Sequence, residues 1–190
     1  LWWITVALDL SAPSRARTVT SAIAPQARVY GTSWTMPSDL FGDSHWLFGG
    51  WQADKEFDQG PCFNDLWSFQ YDESTNVANW TNYSVSGALP VRRFGAAKWV
   101  LPTDGNKFMV YIYGGAAIAD DKQRSPLNDL WQLLVTSEDS GLTIKWTVHQ
   151  PLQPSTYFGV PNIGYQFPST TARPQARAHA VTWVIEDTLS

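Results

Sequence analysis

Cysteine is almost missing from this chain of 190 residues. Its one thiol, Cys62, has no partner for an intrachain bridge, so a disulfide framework is excluded and the compartment cannot be read from pairing. Cys62 reads as a buried or loop thiol. Charge is scarce too: Asp, Glu, Lys and Arg make up 16% of the residues, with a net charge of −4 at pH 7. Phosphate neutralisation needs a concentrated Lys/Arg face, so nucleic acid is excluded as a partner class. The longest early apolar run, residues 1–8, falls far short of the roughly 20 needed to span a membrane, and no basic segment precedes it. No membrane insertion is expected in this chain.

Catalytic signatures are equally thin. The sequence holds no Gly-x-Ser-x-Gly elbow, no Gly-x-Gly-x-x-Gly, no phosphate loop and no His-Glu-x-x-His. Its three histidines, His45, His149 and His179, are far apart and do not read as a metal set. The adjacent acids Asp120-Asp121 and Glu138-Asp139 read as solvated loop charge. The expectation is therefore a protein that is not an enzyme and needs no cofactor.

Aromatic residues are abundant: 11 Trp, 7 Tyr and 9 Phe, in a chain that is 44% hydrophobic. Broad rings pack well on pleated surfaces, so this composition predicts an all-β fold.

An internal repeat organises these rings. Pro25-Gln26-Ala27-Arg28, Pro90-Val91-Arg92-Arg93 and Pro174-Gln175-Ala176-Arg177 each lead to a tryptophan six residues after the last arginine: Trp34, Trp99 and Trp183. Trp46-Leu47-Phe48-Gly49-Gly50 returns as Tyr111-Ile112-Tyr113-Gly114-Gly115, 65 residues later. Asn64-Asp65-Leu66-Trp67 returns as Asn128-Asp129-Leu130-Trp131, and Trp80 as Trp146, at offsets of 64 and 66. Landmarks in constant order at near-constant spacing are not a product of chance.

Each unit reads as four short strands. The first runs from the arginine past the tryptophan, the second ends in Gly-Gly, the third starts at Asp-Leu-Trp and the fourth carries the lone tryptophan. Four-stranded sheets repeated along a chain predict a β-propeller, each sheet burying its faces against its neighbours. Glycine supplies the backbone angles for a sharp exit at Gly49-Gly50 and Gly114-Gly115, and leaves room there for the rings of Trp80 and Trp146. Arg28, Arg93 and Arg177 recur at one position in every unit, so they are expected to hold loops or blades together through several hydrogen bonds.

The order Pro-x-x-Arg, hydrophobic strand, Gly-Gly, Asn-Asp-Leu-Trp, Trp resembles the kelch repeat, in its Trp-rich form found in large extracellular proteins. The resemblance covers nearly the whole chain. It implies part of one kelch-type β-propeller: residues 1–24 as the rear half of an upstream repeat, 25–89 as a complete repeat, 90–173 as a second with a long insertion at 149–173, and 174–190 as the first strand of the next. That is about three blades' worth, whereas propellers close with roughly four to eight. The chain also begins with Leu1 rather than Met, so it reads as an internal fragment. Its repeat offsets, 65 and then 84 residues, exceed the roughly 50 of a kelch unit, and the excess falls in connections. The kelch family includes galactose-oxidase-like copper radical oxidases, whose copper is held by tyrosines, one cross-linked to a cysteine, and histidines. No residue set here matches that site, and Cys62 carries no such role.

Propellers bind partners with the connections at one face. Those at 51–63, 116–127 and 149–173 are long. The last holds Tyr157, Phe158, Tyr165 and Phe167 among four prolines, a stiffened set of rings suited to anchor a partner. Two sequons, Asn79-Trp80-Thr81 and Asn82-Tyr83-Ser84, make Asn79 and Asn82 candidate N-glycosylation sites. The resulting expectation is a protein-interaction or scaffolding module of an extracellular or cell-surface protein. Its partner would be another protein or a second copy of itself, with a glycan as a further candidate. A galactose-oxidase-like or carbohydrate-active enzyme and a cytoplasmic kelch adaptor are the rival readings.

Overall fold

The computed structural model describes residues 23–36, 44–52, 60–72, 77–85, 87–103, 106–118, 124–139, 141–150 and 178–179. Among them there are ten strands and no helix. β1 (Thr32–Met36), β2 (Ser44–Trp51), β3 (Cys62–Asp72) and β4 (Val77–Tyr83) form one antiparallel sheet in chain order. β5 (Ala97–Pro102), β6 (Lys107–Tyr113), β9 (Leu130–Glu138) and β10 (Gly141–Gln150) form a second with the same simple meander. Between β6 and β9 a two-stranded hairpin is inserted, β7 (Ala116–Ile118) with β8 (Arg124–Pro126).

Strand alternation explains which side chains go inside. Along β1, Thr32, Trp34 and Met36 are buried while Ser33 and Thr35 are exposed. Along β6 and β9 the buried residues are Phe108, Val110 and Ile112, then Trp131, Leu133 and Val135. These period-two patterns give each sheet an apolar face. One continuous core joins Trp34, Met36, Trp46, Phe48 and Leu66 of the first sheet to the β6 and β9 residues and Trp146 of the second. Phe48 and Trp146 meet across it with ring centroids 4.9 Å apart.

The two sheets do not present the same face to each other. In β3, Leu66 joins the shared core, while Trp67 and Phe69 belong to the opposite side and pack on Trp80. In β9, Trp131 and Leu133, which occupy the places of Trp67 and Phe69 in the repeat, are the ones turned toward the first sheet. The front of one sheet therefore packs on the back of the next. Such a joint is heterologous and uses up neither sheet's other face.

This asymmetry corrects one expectation. Trp146 is buried, because the first sheet covers it. Trp80, its counterpart, is only half-buried and packs on Trp67 and Phe69 rather than beside Gly49-Gly50. Register gives the reason and holds for both tryptophans: Trp80 is level with Phe69 and His45, four residues from Gly49, and Trp146 with Leu133 and Val110, four residues from Gly114, each about 13 Å along the strand, so neither ring lies beside its glycine pair. What approaches the glycines is backbone. A Cβ on Gly49 would stand 2.7 Å from the Arg93 carbonyl oxygen, and one on Gly115 2.7 Å from that of Phe94. Both glycines have positive φ, 63° and 90°, where other residues are strained.

Element bounds differ from expectation at two further points. The first strands begin four residues after each arginine, because Tyr30 and Gly95 turn the chain with φ of 55° and 62°. The third strand of the first sheet starts early, at Cys62, since the 51–63 connection continues the ladder with Trp51 opposite Cys62.

Candidate functional site

The two arginines among the described repeats, Arg28 and Arg93, are held the same way. In the second repeat, Arg93 Nη1 and Nη2 donate to Oδ1 and Oδ2 of Asp129 at 2.7 and 2.6 Å, Nη1 also donates to the Gly114 carbonyl, and Nε donates to the Val91 carbonyl. Trp131 Nε1 donates to the same carboxylate at 2.7 Å. In the first repeat, Arg28 repeats every bond, to Asp65, Gly49 and Gln26, with Trp67 Nε1 donating to Asp65. A guanidinium fork matched to a carboxylate is a strong, orientation-specific contact. Here it ties the start of each repeat to its own Gly-Gly and Asp-Leu-Trp landmarks, so Arg28, Arg93, Asp65 and Asp129 are committed to structure. Burial alone would raise the Asp65 carboxyl; hydrogen bonds from Arg28 and Trp67 and the charge of Arg28 outweigh it and hold the group below its ordinary value.

The same segments join one repeat to the next. Gly50 N–H donates to the Arg93 carbonyl and Arg93 N–H to that of Phe63. Gly95 N–H donates to the Tyr30 carbonyl at 2.9 Å, and His179 N–H to the Gly95 carbonyl at 2.8 Å. Tyr30, Gly95 and His179 each stand two residues after the arginine of their repeat, and all three have positive φ, 55°, 62° and 58°. That conformation is uncommon for Tyr and His, yet it recurs with the same hydrogen bond, so it belongs to the joint rather than to the residue type. Gly95 has a further reason to be glycine: a Cβ there would lie 2.8 Å from the His179 imidazole.

At this end of the sheets, side chains from separate repeats converge. The Tyr30 ring meets the edge of His179 at 4.8 Å, and both lie about Phe94, at 6.3 and 6.2 Å. Beneath them Trp51, Cys62, Phe94 and Ala116 form a second, smaller buried cluster. The hairpin β7–β8 carries Arg124 over this base, its guanidinium 4.9 Å from the Trp51 ring and 5.9 Å from that of Phe94. Burial raises the Cys62 thiol above its ordinary value, although a backbone hydrogen bond from Ile118 and the positive charges of Arg124 and Arg92 pull the other way. The described ends of two of the three long connections, 51–63 and 116–127, thus meet at one end, where Tyr30, Arg124 and His179 are exposed beside a buried, largely aromatic cluster.

The other residues singled out from sequence are dispersed. Asn79 and Asn82 are exposed on edge strand β4 and, three residues apart, point to opposite faces. His45 lies against Thr35 Oγ1, His149 against Gln132 Oε1 and His179 against Tyr30. Among the described residues no three His, Cys, Asp or Glu side chains are grouped to hold a metal ion. Tyr157, Phe158, Tyr165, Phe167, Arg177 and the pair Asp120-Asp121 lie outside the described residues. Sequence reasoning passed over Tyr30, Arg124 and His179. Tyr30 and His179 had a legible signal, since they vary at one fixed place in an otherwise constant frame; Arg124 had none, lying in a connection whose pairing into a hairpin no pattern announced. Neither a protein-family model nor a curated protein matches the chain.

Proposed function

We propose that this chain is a section of a kelch-type β-propeller serving as a non-catalytic interaction or scaffolding module of an extracellular or cell-surface protein. One observation carries the reading: the joint between repeats is directional and is made again by the next repeat, Gly95 to Tyr30 and then His179 to Gly95. A front-to-back contact that can be repeated builds rings or open arrays, not closed pairs, and radial repetition of four-stranded sheets is the propeller solution. The tightly bonded arginines and aspartates serve the frame, which leaves recognition to the connections.

Partner contact falls to the connections, above all to the 149–173 insertion with Tyr157, Phe158, Tyr165 and Phe167, which lie outside the described residues. The partner class is another protein or a second copy of the chain. Passage through a eukaryotic secretory route would place N-glycans on Asn79 or Asn82. Deleting residues 155–168 tests the interaction role: the melting temperature should stay within a few degrees while self-association or partner capture weakens. Collapse of the fold on deletion would assign the insertion to structure, and copper content with turnover in the purified protein would replace the reading with an oxidase.

A further inference from the structure

The second sheet ends in a strand paired on one side. β10 is bonded to β9, and among the described residues no strand lies on its other side. Alternate residues of an edge strand direct their N–H and C=O groups outward, a ready template for another strand. The other edges suit this less. β1 and β5 lie against each other where the two sheets meet, and β4 is seven residues long with Asn79, Thr81 and Asn82 exposed along it. β10 is ten residues long, keeps an unbroken register from Gly141 to Val148 and contains no proline.

Its side chains divide by face. Leu142, Ile144, Trp146 and Val148 lie on the side of the shared core, where Trp146 is buried and Ile144 partly so. Leu142 and Val148 remain 40% and 41% exposed. One strand further in, Leu133 and Val135, the register partners of Trp146 and Ile144, are 0% exposed. What β10 lacks is a neighbour on its outer flank, and a strand added there would cover Leu142 and Val148. On the opposite face Thr143, Lys145 and Thr147 are exposed. Lys145 is the only Lys, Arg, Asp or Glu of the strand, stands near its middle and takes part in no ion pair among the described residues. Residues 151–173, which follow the strand, contain no Asp or Glu.

We infer that the outer edge of β10 takes up an extended protein segment as a further strand, with aliphatic residues on the side of Leu142 and Val148 and a carboxylate opposite Lys145. Directly opposed charges of one sign destabilise a strand pair, and charges of opposite sign stabilise it. A second copy pairing its β10 with this one about the middle would set lysine against lysine, so the edge discriminates against itself and in favour of an acidic strand. Main-chain hydrogen bonds supply the affinity of such an addition and the alternate side chains its selectivity. This contact goes beyond the one given above to the 149–173 insertion and can fail independently of it.

The palindromic peptide Val-Thr-Val-Glu-Val-Thr-Val, fluorescein-labelled, serves as the probe and Val-Thr-Val-Lys-Val-Thr-Val as the control, each titrated against the full chain by fluorescence anisotropy. The Glu peptide should bind about fivefold more tightly, the scale of one cross-strand charge pair, with the difference narrowing as salt rises. Lys145→Glu, an exposed replacement that should keep the wild-type melting temperature, should reverse the preference. Backbone N-methylation of one alternate set of the peptide's residues should abolish binding and of the other set should leave it, because only one set faces the edge. A surface that recognised side chains alone would not sort the two sets. Equal binding of the Glu and Lys peptides, a preference that Lys145→Glu does not reverse, or indifference to the position of the N-methyl groups overturns the inference. Failure of the Glu peptide to bind the full chain overturns it too, and binding gained on deleting 155–168 would then assign the edge to the insertion. If the deletion weakens partner capture while the Glu peptide still binds, both contacts stand; if capture is unchanged and the peptide still binds, the edge stands and the insertion's role does not.

Discussion

The two arginine forks make the same bonds in different degrees of burial, and that difference sets a quantitative prediction. The Arg93 and Asp129 side chains are 1% and 2% exposed, whereas Arg28 is 5% and Asp65 27% exposed. Arg93→Ala strands the Asp129 carboxylate in the interior with only the Trp131 indole as donor, and it also orphans the Gly114 carbonyl. Breaking a buried pair from one side costs about 3–5 kcal/mol. Arg28→Ala leaves a carboxylate that water can reach, so its cost should be about 1–3 kcal/mol. Urea unfolding followed by tryptophan fluorescence measures both. A double replacement, Arg93→Met with Asp129→Leu, separates the worth of the pair from the penalty of a stranded charge. It should recover most of the loss, because no buried charge remains unpaired. Equal costs for Arg93→Ala and Arg28→Ala would refute the reasoning, since bond count rather than burial would then decide stability.

Three further outcomes follow from the same geometry. Gly115→Val should destabilise by about 1–3 kcal/mol through strain at positive φ and the clash with the Phe94 carbonyl; an unchanged melting temperature would contradict the close approach. Asp65 has its folded pKa below the unfolded value, so its contribution is fully present above about pH 4 and is lost as pH falls through the lower folded value. Asp65→Asn should accordingly flatten the acid limb of a stability-against-pH curve while lowering stability near neutrality. Cys62, buried and raised, should react with iodoacetamide more slowly than a free thiol at pH 8, and a rate equal to that of glutathione would show the site to be open.

Much of the frame was legible because it is repeated. Gly49, Asp65 and Arg28 recur as Gly114, Asp129 and Arg93, and a residue type that returns in register must answer a backbone angle or a buried partner that also returns. Within those strands the buried faces follow the period of two that a strand imposes, as with Trp34 and Met36 or Val110 and Ile112. What sequence could not supply was the side of the sheet that meets a neighbour. Trp80 and Trp146 are identical letters in equivalent strands, but only Trp146 lies on a face covered by the other sheet. The meeting of Tyr30, Arg124 and His179 was hidden for a related reason. They are far apart in sequence and are brought together by joints between repeats, not by any local pattern.

An experimental structure of the natural protein carrying this chain tests the central claim most directly. The account predicts that the front face of the second sheet, with Trp99 and Tyr111, packs on the back of a further four-stranded sheet entered through His179, and that such sheets close into a ring. A two-sheet arrangement with that face left open to solvent, or a third element joined without the His179 to Gly95 hydrogen bond, would contradict it.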